Sequence, residues 1–269
     1  MRKRLVLVGA AGRMGQAIIQ CLRREAYGRL ELVAAIGRET TPLLGQDIGE
    51  IAGGACMGIV LSASLSQALR HADIVIDFTP AEQMMAHLAL YEQAGVAVVT
   101  GSTGLTDVQM ERLQRAAVTL PLLWAANMSL GINVLLDVLR RTARAVGKNA
   151  DIEIIEAHHR NKIDAPSGTA KVLGATIADE LACSLAETAS YGRVGNTGVR
   201  NKQEIGFSSI RAGDIFGEHT VLFGLVGERI ELTHRASSRD CFAKGALQAA
   251  AWLSAQTAGW YSMADVLNH

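Results

Sequence analysis

The segment Leu5-Val-Leu-Val-Gly9-Ala-Ala-Gly12-Arg-Met-Gly15 decides the fold. Its apolar start is the pattern of a strand buried on both faces. The glycines permit a tight turn and a close approach of backbone to a pyrophosphate, whose charge a helix N-terminus favours. Behind them Met14, Ala17, Ile18, Cys21 and Leu22 recur at helical spacing. A glycine string alone describes many turns; the strand–turn–helix context is what points to a dinucleotide. Gly9, Ala10, Ala11, Gly12, Arg13 and Met14 are the residues expected to hold it.

Working outward, the pattern repeats. Leu30–Ile36 reads as a second strand, Ile74–Ile76 as a third, Val96–Thr100 as a fourth and Leu120–Trp124 as a fifth, with helices over Ala81–Ala94 and Thr106–Ala117. This alternation predicts an α/β fold with a Rossmann-type, doubly wound parallel sheet. Residues 37–63 are glycine-rich and irregular, a loop region over the cofactor. After Asn127 the texture changes. A helix over Gly131–Val146 precedes a strand over Asp151–Ala157, a helix over Gly168–Leu181, a polar loop at 184–203 and three close strands at Glu204–Ile210, His219–Gly224 and Arg229–His234. Strands in succession predict a second, α+β domain with a mainly antiparallel sheet. The final helix, Phe242–Ala255, is too apolar to stand alone and is expected to pack on the first domain.

Lys plus Arg and Asp plus Glu balance at 26 each. No global field then steers nucleic acid to the surface, and any anion site has to be a local cluster. Apolar residues at 49% and charged residues at 19% allow a well-filled core. Cys21, Cys56, Cys183 and Cys241 show no Cys-x-x-Cys spacing and suit reduced thiols in a cytoplasmic protein. Arg2, Lys3 and Arg4 before an apolar run imitate a secretion signal, but Gly9, Gly12 and Arg13 interrupt it. No apolar run approaches the ~18–20 residues of a membrane span.

An open α/β sheet binds its ligands beyond the C-terminal ends of its strands. NAD sites usually carry an acid for the ribose hydroxyls after the second strand; here Gly37 offers no acceptor, and Arg38 can take a 2′-phosphate bidentately. This predicts NADPH, with NADH weaker. Gly101-Ser102-Thr103-Gly104 and Ala125-Ala126-Asn127-Met128 follow the fourth and fifth strands, with small and short polar groups suited to a nicotinamide ribose. Asp77-Phe78-Thr79-Pro80 is a third such exit.

The chemistry lies in Ile154-Ile-Glu-Ala-His158-His159-Arg160-Asn-Lys162-Ile-Asp164-Ala-Pro166-Ser167-Gly168-Thr169-Ala170. Imidazoles and cations at a strand end, facing a helix N-terminus, make a pocket for an anion that also exchanges protons. If the strand persists, His158 and His159 diverge to opposite faces, so one can serve the proton while the other holds substrate. Lys162 supplies a further acid or cation. Ser167 is a candidate N-cap, with Gly168 and Thr169 in the first turn. Taken singly, each residue reads equally as part of a solvated basic loop. A metal on His158, His159 and Asp164 fits no familiar ligand spacing, and Lys162 would repel it, so none is expected.

These motifs are joined by Arg211-Ala-Gly-Asp-Ile215, Gly217-Glu-His219-Thr220 and Thr233-His234-Arg-Ala-Ser-Ser-Arg239. Together they closely resemble the 4-hydroxy-tetrahydrodipicolinate reductase (dihydrodipicolinate reductase) family of bacterial and plant lysine biosynthesis, across essentially the whole chain. The resemblance implies hydride transfer from a reduced nicotinamide to C4 of a cyclic unsaturated dicarboxylate, with loss of its hydroxyl as water. It implies His158 as general acid/base and Lys162 as second proton donor, the immediate donor being either. His159, Gly168 and Thr169 would hold the substrate carboxylates. Gly9 to Met14, Arg38, Gly101 to Thr103 and Ala125 to Met128 would hold the cofactor. It further implies a cofactor domain of residues 1–129 and 239–269, a substrate and oligomerisation domain of residues 130–238, and a homotetramer. Two positions depart from the family: Gly37 replaces a frequent acid, and Met128 a frequent aromatic. The alternatives are a related two-domain NADPH oxidoreductase such as a diaminopimelate dehydrogenase, against which the His-His…Lys…Ser-Gly-Thr cluster argues, and a non-catalytic dinucleotide sensor.

Overall fold

The computed structural model describes residues 2–25, 27 and 30–268. In chain order the elements begin with β1 (Lys3–Val8), α1 (Arg13–Arg24), β2 (Leu30–Ile36), α2 (Ile48–Ile51), β3 (Leu61–Ser62) and α3 (Leu65–Leu69). There follow β4 (Ile74–Asp77), α4 (Ala81–Ala94), β5 (Ala97–Thr100), α5 (Asp107–Ala116) and β6 (Pro121–Trp124). Next come α6 (Leu130–Val146), β7 (Asp151–His158), α7 (Gly168–Leu181), α8 (Leu185–Thr188), β8 (Ala189–Tyr191), β9 (Ile205–Arg211), β10 (Gly217–Leu225) and β11 (Glu228–Ala236). The chain closes with α9 (Asp240–Leu253), β12 (Gly259–Tyr261) and α10 (Met263–Leu267). It divides into two compact units, Met1–Leu130 with Arg239–His269, and Gly131–Ser238.

The first unit is a parallel sheet of order β3-β2-β1-β4-β5-β6-β12. Alternate residues of each strand enter opposite cores, as period-2 geometry requires. Leu5, Leu7, Ile74, Ile76 and Val99 pack with α1 and α9, while Val6, Val8, Val75 and Val98 face Met84, Leu88 and Tyr91 of α4 and Leu113 of α5. With both faces covered, the central strands β4 and β5 and the inner part of β1 are buried throughout, which is why they read as runs rather than alternation. The expected final helix is α9, but it does not end the fold: β12 adds a strand beside β6, and α10 follows. Gly245 of α9 lies so close to the 125–128 loop that a Cβ there would stand 1.8 Å from the Met128 carbonyl oxygen.

Residues 37–63 are more ordered than their composition suggests. Asp47, 9% exposed, accepts from the backbone N–H groups of Gly49, Met57 and Ile59 and from the Cys56 thiol. The Met57 bond above all brings its carboxyl down to about 2. One side chain thus organises a non-periodic segment around α2 and β3.

The second unit is a sheet of order β11-β10-β7-β9-β8. It is mixed rather than mainly antiparallel, since β10 runs against β7 and β11 whereas β9 runs with β7 and β8. The expected loop 184–203 contains α8 and the edge strand β8. One face of this sheet packs Ile152, Ile154, Phe207, Val221 and Phe223 against Leu135 and Leu139 of α6 and Leu173 and Ile177 of α7. Among the described residues, no helix is long and apolar enough to cross a membrane.

Asp77, at the C-terminal end of β4, is fully buried. It accepts from the Thr79 N–H at 2.8 Å, the Thr79 hydroxyl at 2.6 Å and the Tyr91 hydroxyl at 2.7 Å, and pairs with His87 Nδ1 at 2.9 Å. Burial works to raise its pKa, but the bonds from His87, Thr79 and Tyr91 outweigh that and hold it below the ordinary 3.8. Asp77→Asn should lower stability to denaturant by about 1.5–3 kcal/mol at neutral pH, the range for a hydrogen bond to a charged group. Because the folded-state value lies below the unfolded one, the Asp77 contribution is full above 3.8 and fades as pH falls through the folded value. The gap between wild type and variant should therefore narrow on acidification.

Candidate active site

In the first unit, β1 and β4 are neighbours although α1, β2, α2, β3 and α3 separate them in the chain. A switch point of this kind opens a crevice at the C-terminal strand ends. A cleft of about 750 Å³ lies there, lined by Gly9, Ala11, Gly12, Gly37, Arg38 and Thr79 among others. The residues present fit a dinucleotide on three counts. Gly9 turns with φ +76°, a left-handed conformation that glycine adopts without strain. A Cβ on Gly15 would stand 2.4 Å from the Ala10 carbonyl and 2.5 Å from that of Gly9, so only glycine lets α1 start this close to the turn. Gly12 is the α1 N-cap and no side chain caps it, leaving the positive end of the helix for an anion.

Arg38 lines the same cleft, and among the described residues its guanidinium makes no ion pair. At Gly37 a Cβ would come within 3.0–3.2 Å of the Leu61 side chain, so a larger residue there would press on Leu61. Glu39, Thr40 and Thr41 also face the cleft. Gly101–Thr103 and Ala125–Met128 follow β5 and β6, at the same end of the parallel sheet. The Ser102 hydroxyl donates to the Thr79 carbonyl at 2.6 Å, and Trp124 Nε1 donates to the Ser102 carbonyl at 2.9 Å, so these strand exits are tied together. Gln83 and His87 of α4 line the cleft as well. Nothing in the motifs points to them, because they lie on a helix rather than at a strand exit.

In the second unit the apolar rows of the sheet end in a polar one. Ile154 is paired with Phe207 and Val221, and two residues on, Glu156 is paired with Ser209 and His219, and His219 with His234. Glu156 is 1% exposed, and its carboxylate is surrounded by hydrogen-bond donors. Arg211 grips it with two, at 2.7 and 2.9 Å, His158 Nδ1 donates at 2.6 Å, and the Ser167 N–H at 3.2 Å. Burial pushes its pKa up, but the bonds from Arg211, Ser209 and His158 prevail and bring it to about 2.

His158 therefore sits on the inner face at the last position of β7, its side chain 12% exposed. Burial lowers its pKa, Glu156 works against that, and Lys162 and Arg211 reinforce it. His159 lies beyond the strand end; its Nδ1 is shielded from solvent and has no hydrogen-bond partner among the described residues. Lys162 pairs with Asp164 at 2.7 Å, and the Asp164 carbonyl accepts from Arg211. Ser167 caps α7 by accepting from the Ala170 N–H, with Gly168 and Thr169 in the first turn. Its hydroxyl also meets His219 Nε2 at 3.0 Å, and the His219 ring lies edge-on to that of His158 at 5.2 Å. Burial foremost, then the proximity of His158, drops His219 to about 4.

The structure thus gathers His158, Lys162, Gly168 and Thr169 around one strand end and one helix N-terminus. Glu156, Arg211 and His219 stand in the motifs that carry the resemblance, but the sequence reading assigned them no role. The signal was present: the inward positions Ile152 and Ile154 continue, at the same period of two, to Glu156 and His158.

Residues 3–128 match the family model described as "Dihydrodipicolinate reductase, N-terminus" and residues 131–267 the one described as "Dihydrodipicolinate reductase, C-terminus". The chain is 48% identical to a 4-hydroxy-tetrahydrodipicolinate reductase of Acinetobacter baumannii over 98% of its length and 96% of that protein's. It is 50% identical to one from Pseudoalteromonas atlantica over 98% of each. Among solved structures it resembles a dipicolinate-bound dihydrodipicolinate reductase from Paenisporosarcina sp. TG-14, with TM-score 0.74 and 23% identity over 97% of this chain and 98% of that one.

Proposed function

The chain belongs to the dihydrodipicolinate reductase family, and from that premise we propose that it reduces 4-hydroxy-2,3,4,5-tetrahydrodipicolinate to 2,3,4,5-tetrahydrodipicolinate, with loss of water, in diaminopimelate and lysine biosynthesis in the cytoplasm. The observation that carries the reading is the convergence of His158, Lys162 and the α7 N-terminus at the end of β7. A reduced nicotinamide dinucleotide supplies the hydride. Gly9 to Met14 hold its pyrophosphate against the α1 N-terminus, while Gly101–Thr103 and Ala125–Met128 line the nicotinamide side.

The substrate is a dianion at neutral pH. Gly168 and Thr169, at the positive end of α7, take one carboxylate, and His159, whose Nδ1 has no hydrogen-bond partner among the described residues, takes another. Fixing both carboxylates orients the ring and stabilises negative charge developing on it. His158 or Lys162 then delivers the proton that completes the reduction. The assay is oxidation of NADPH, followed spectrophotometrically, with the enzymatically generated substrate. His158→Ala and Lys162→Ala should each lower turnover ~10²–10⁴-fold, the usual span for a positioned acid or base. Near-normal turnover in both would make the loop a solvated basic face.

NADPH is the preferred cofactor in this reading, because Gly37 offers no acceptor and Arg38, in no ion pair among the described residues, has a guanidinium available for a 2′-phosphate. Arg38→Ala should weaken NADPH binding by roughly 1–3 kcal/mol and leave NADH almost untouched. Equal losses by calorimetry for both cofactors would show that Arg38 does not read the phosphate. The assembly is a homotetramer built through the second unit; the apolar run of β10, expected to extend a shared sheet, lies between β7 and β11, so the edge strand β11 is the one placed to meet a partner. Light scattering should then give about four times the 28.6 kDa of one chain, and a monomer at micromolar concentration would refute it.

A further inference from the structure

We propose that Glu156 is a positioning residue for the reaction: its buried carboxylate fixes His158 as the Nδ1–H tautomer, so that Nε2 is the nitrogen that exchanges a proton, and holds that imidazole in register with the α7 N-terminus. The inference deepens the reading of the preceding section and rests on it for the role of His158.

The geometry divides the work between the two carboxylate oxygens. Oε2 receives His158 Nδ1 at 2.6 Å, and Oε1 receives the Ser167 N–H at 3.2 Å. One rigid group therefore sets the distance between the proton donor and the helix end that takes a substrate carboxylate. Arg211, bonded to both oxygens, leaves the carboxylate no rotational freedom, and its own Nη2 is anchored on the Asp164 carbonyl. A carboxylate is an acceptor only, so the His158 nitrogen facing it has to carry the hydrogen. Nε2 lies on the far side of the ring, where Gly217 makes room for it: a Cβ there would stand 3.1 Å away.

The proton accounting is simple. His158, doubly protonated, gives the Nε2 proton to the substrate and becomes the neutral Nδ1–H tautomer, while Glu156 stays ionised throughout and stabilises the imidazolium that precedes transfer. Ordinary core packing does not explain this arrangement. Continuing the inner face with a third apolar residue after Ile152 and Ile154 would have closed the sheet without an ion pair. A buried charge persists only with full hydrogen bonding.

The test combines two measurements. Nitrogen chemical shifts of ¹⁵N-histidine-labelled wild type should show His158 as the Nδ1–H tautomer above its pKa. An Nε2–H tautomer would overturn the proposal without any activity assay. In Glu156→Gln, kcat should fall ~10²–10⁴-fold, as for loss of a positioned acid, while KM for the nicotinamide cofactor stays unchanged. The basic limb of the kcat profile should also move to lower pH. The groups facing His158 are Glu156 on its own strand, Lys162 on the following loop, Arg211 on β9 and His219 on β10. Glu156 alone among them favours the protonated ring, so its neutralisation lets the ring lose its proton earlier. Glu156→Asp, which keeps the charge, should restore the limb more than the rate. A lower kcat with an unmoved limb would mean that Glu156 is merely structural, and an unchanged kcat would refute it outright. If wild type fails to turn over the substrate while the tautomer is as expected, the functional reading fails and the positioning of His158 stands.

Discussion

A carboxylate sealed inside a protein stays charged only when every lone pair it exposes is met by a donor. Glu156 satisfies that condition with Arg211, His158 and the Ser167 N–H, and each of those bonds fixes a different part of the second unit. Arg211 stands at the end of β9, His158 at the end of β7 and Ser167 at the start of α7. The single charge thus pins two strand ends and a helix N-terminus to one another. Asp77 has the same role in the first unit, where it joins the exit of β4 to α4 through Thr79, His87 and Tyr91. In both units a buried acid near a strand's C-terminal end gives the adjoining loop a rigidity that apolar packing, being non-directional, does not supply.

Much of this was legible in the sequence where one physical rule dominates. Buried parallel strands must be apolar on both sides, so β1, β4 and β5 announce themselves as runs, and the glycines at 9, 12 and 15 mark where backbone meets backbone. The second unit was harder. Counting close strands suggested antiparallel neighbours, yet α7 lies between β7 and the strand that pairs beside it, and a helical crossover of that kind returns the chain in the parallel sense. The segment 37–63 has no period to read because its order comes from one aspartate gathering N–H groups spread over eleven residues, from Gly49 to Ile59. In β8 the strand is short and half exposed, so composition alone resembles a loop.

Site residues divided along the same line. His158, Lys162, Gly168 and Thr169 stand in one contiguous motif, whereas Arg211 and His219 reach the site only through strand register, opposite His158 and Glu156 respectively. Register is a long-range property, set by which faces are buried, and a local motif does not carry it. Glu156 was readable in principle from the strand's own alternation, since an acid at an inward position is rare without a partner.

The two anion sites show why their helix starts differ. A pyrophosphate has to approach the main chain itself, so α1 begins at Gly12 with no side-chain cap and with Gly15 where any Cβ would collide with the Gly9 and Ala10 carbonyls. On the proposed reading the end of α7 takes a planar carboxylate, and it keeps its cap: Ser167 holds the Ala170 N–H and is itself held by Glu156 and His219. An uncapped end adapts to a flexible phosphate chain, whereas a capped and anchored one presents its first-turn N–H groups at fixed angles. In the proposed reaction that rigidity serves proton transfer from His158, because a carboxylate free to shift by an ångström would carry the reacting carbon out of the donor's reach.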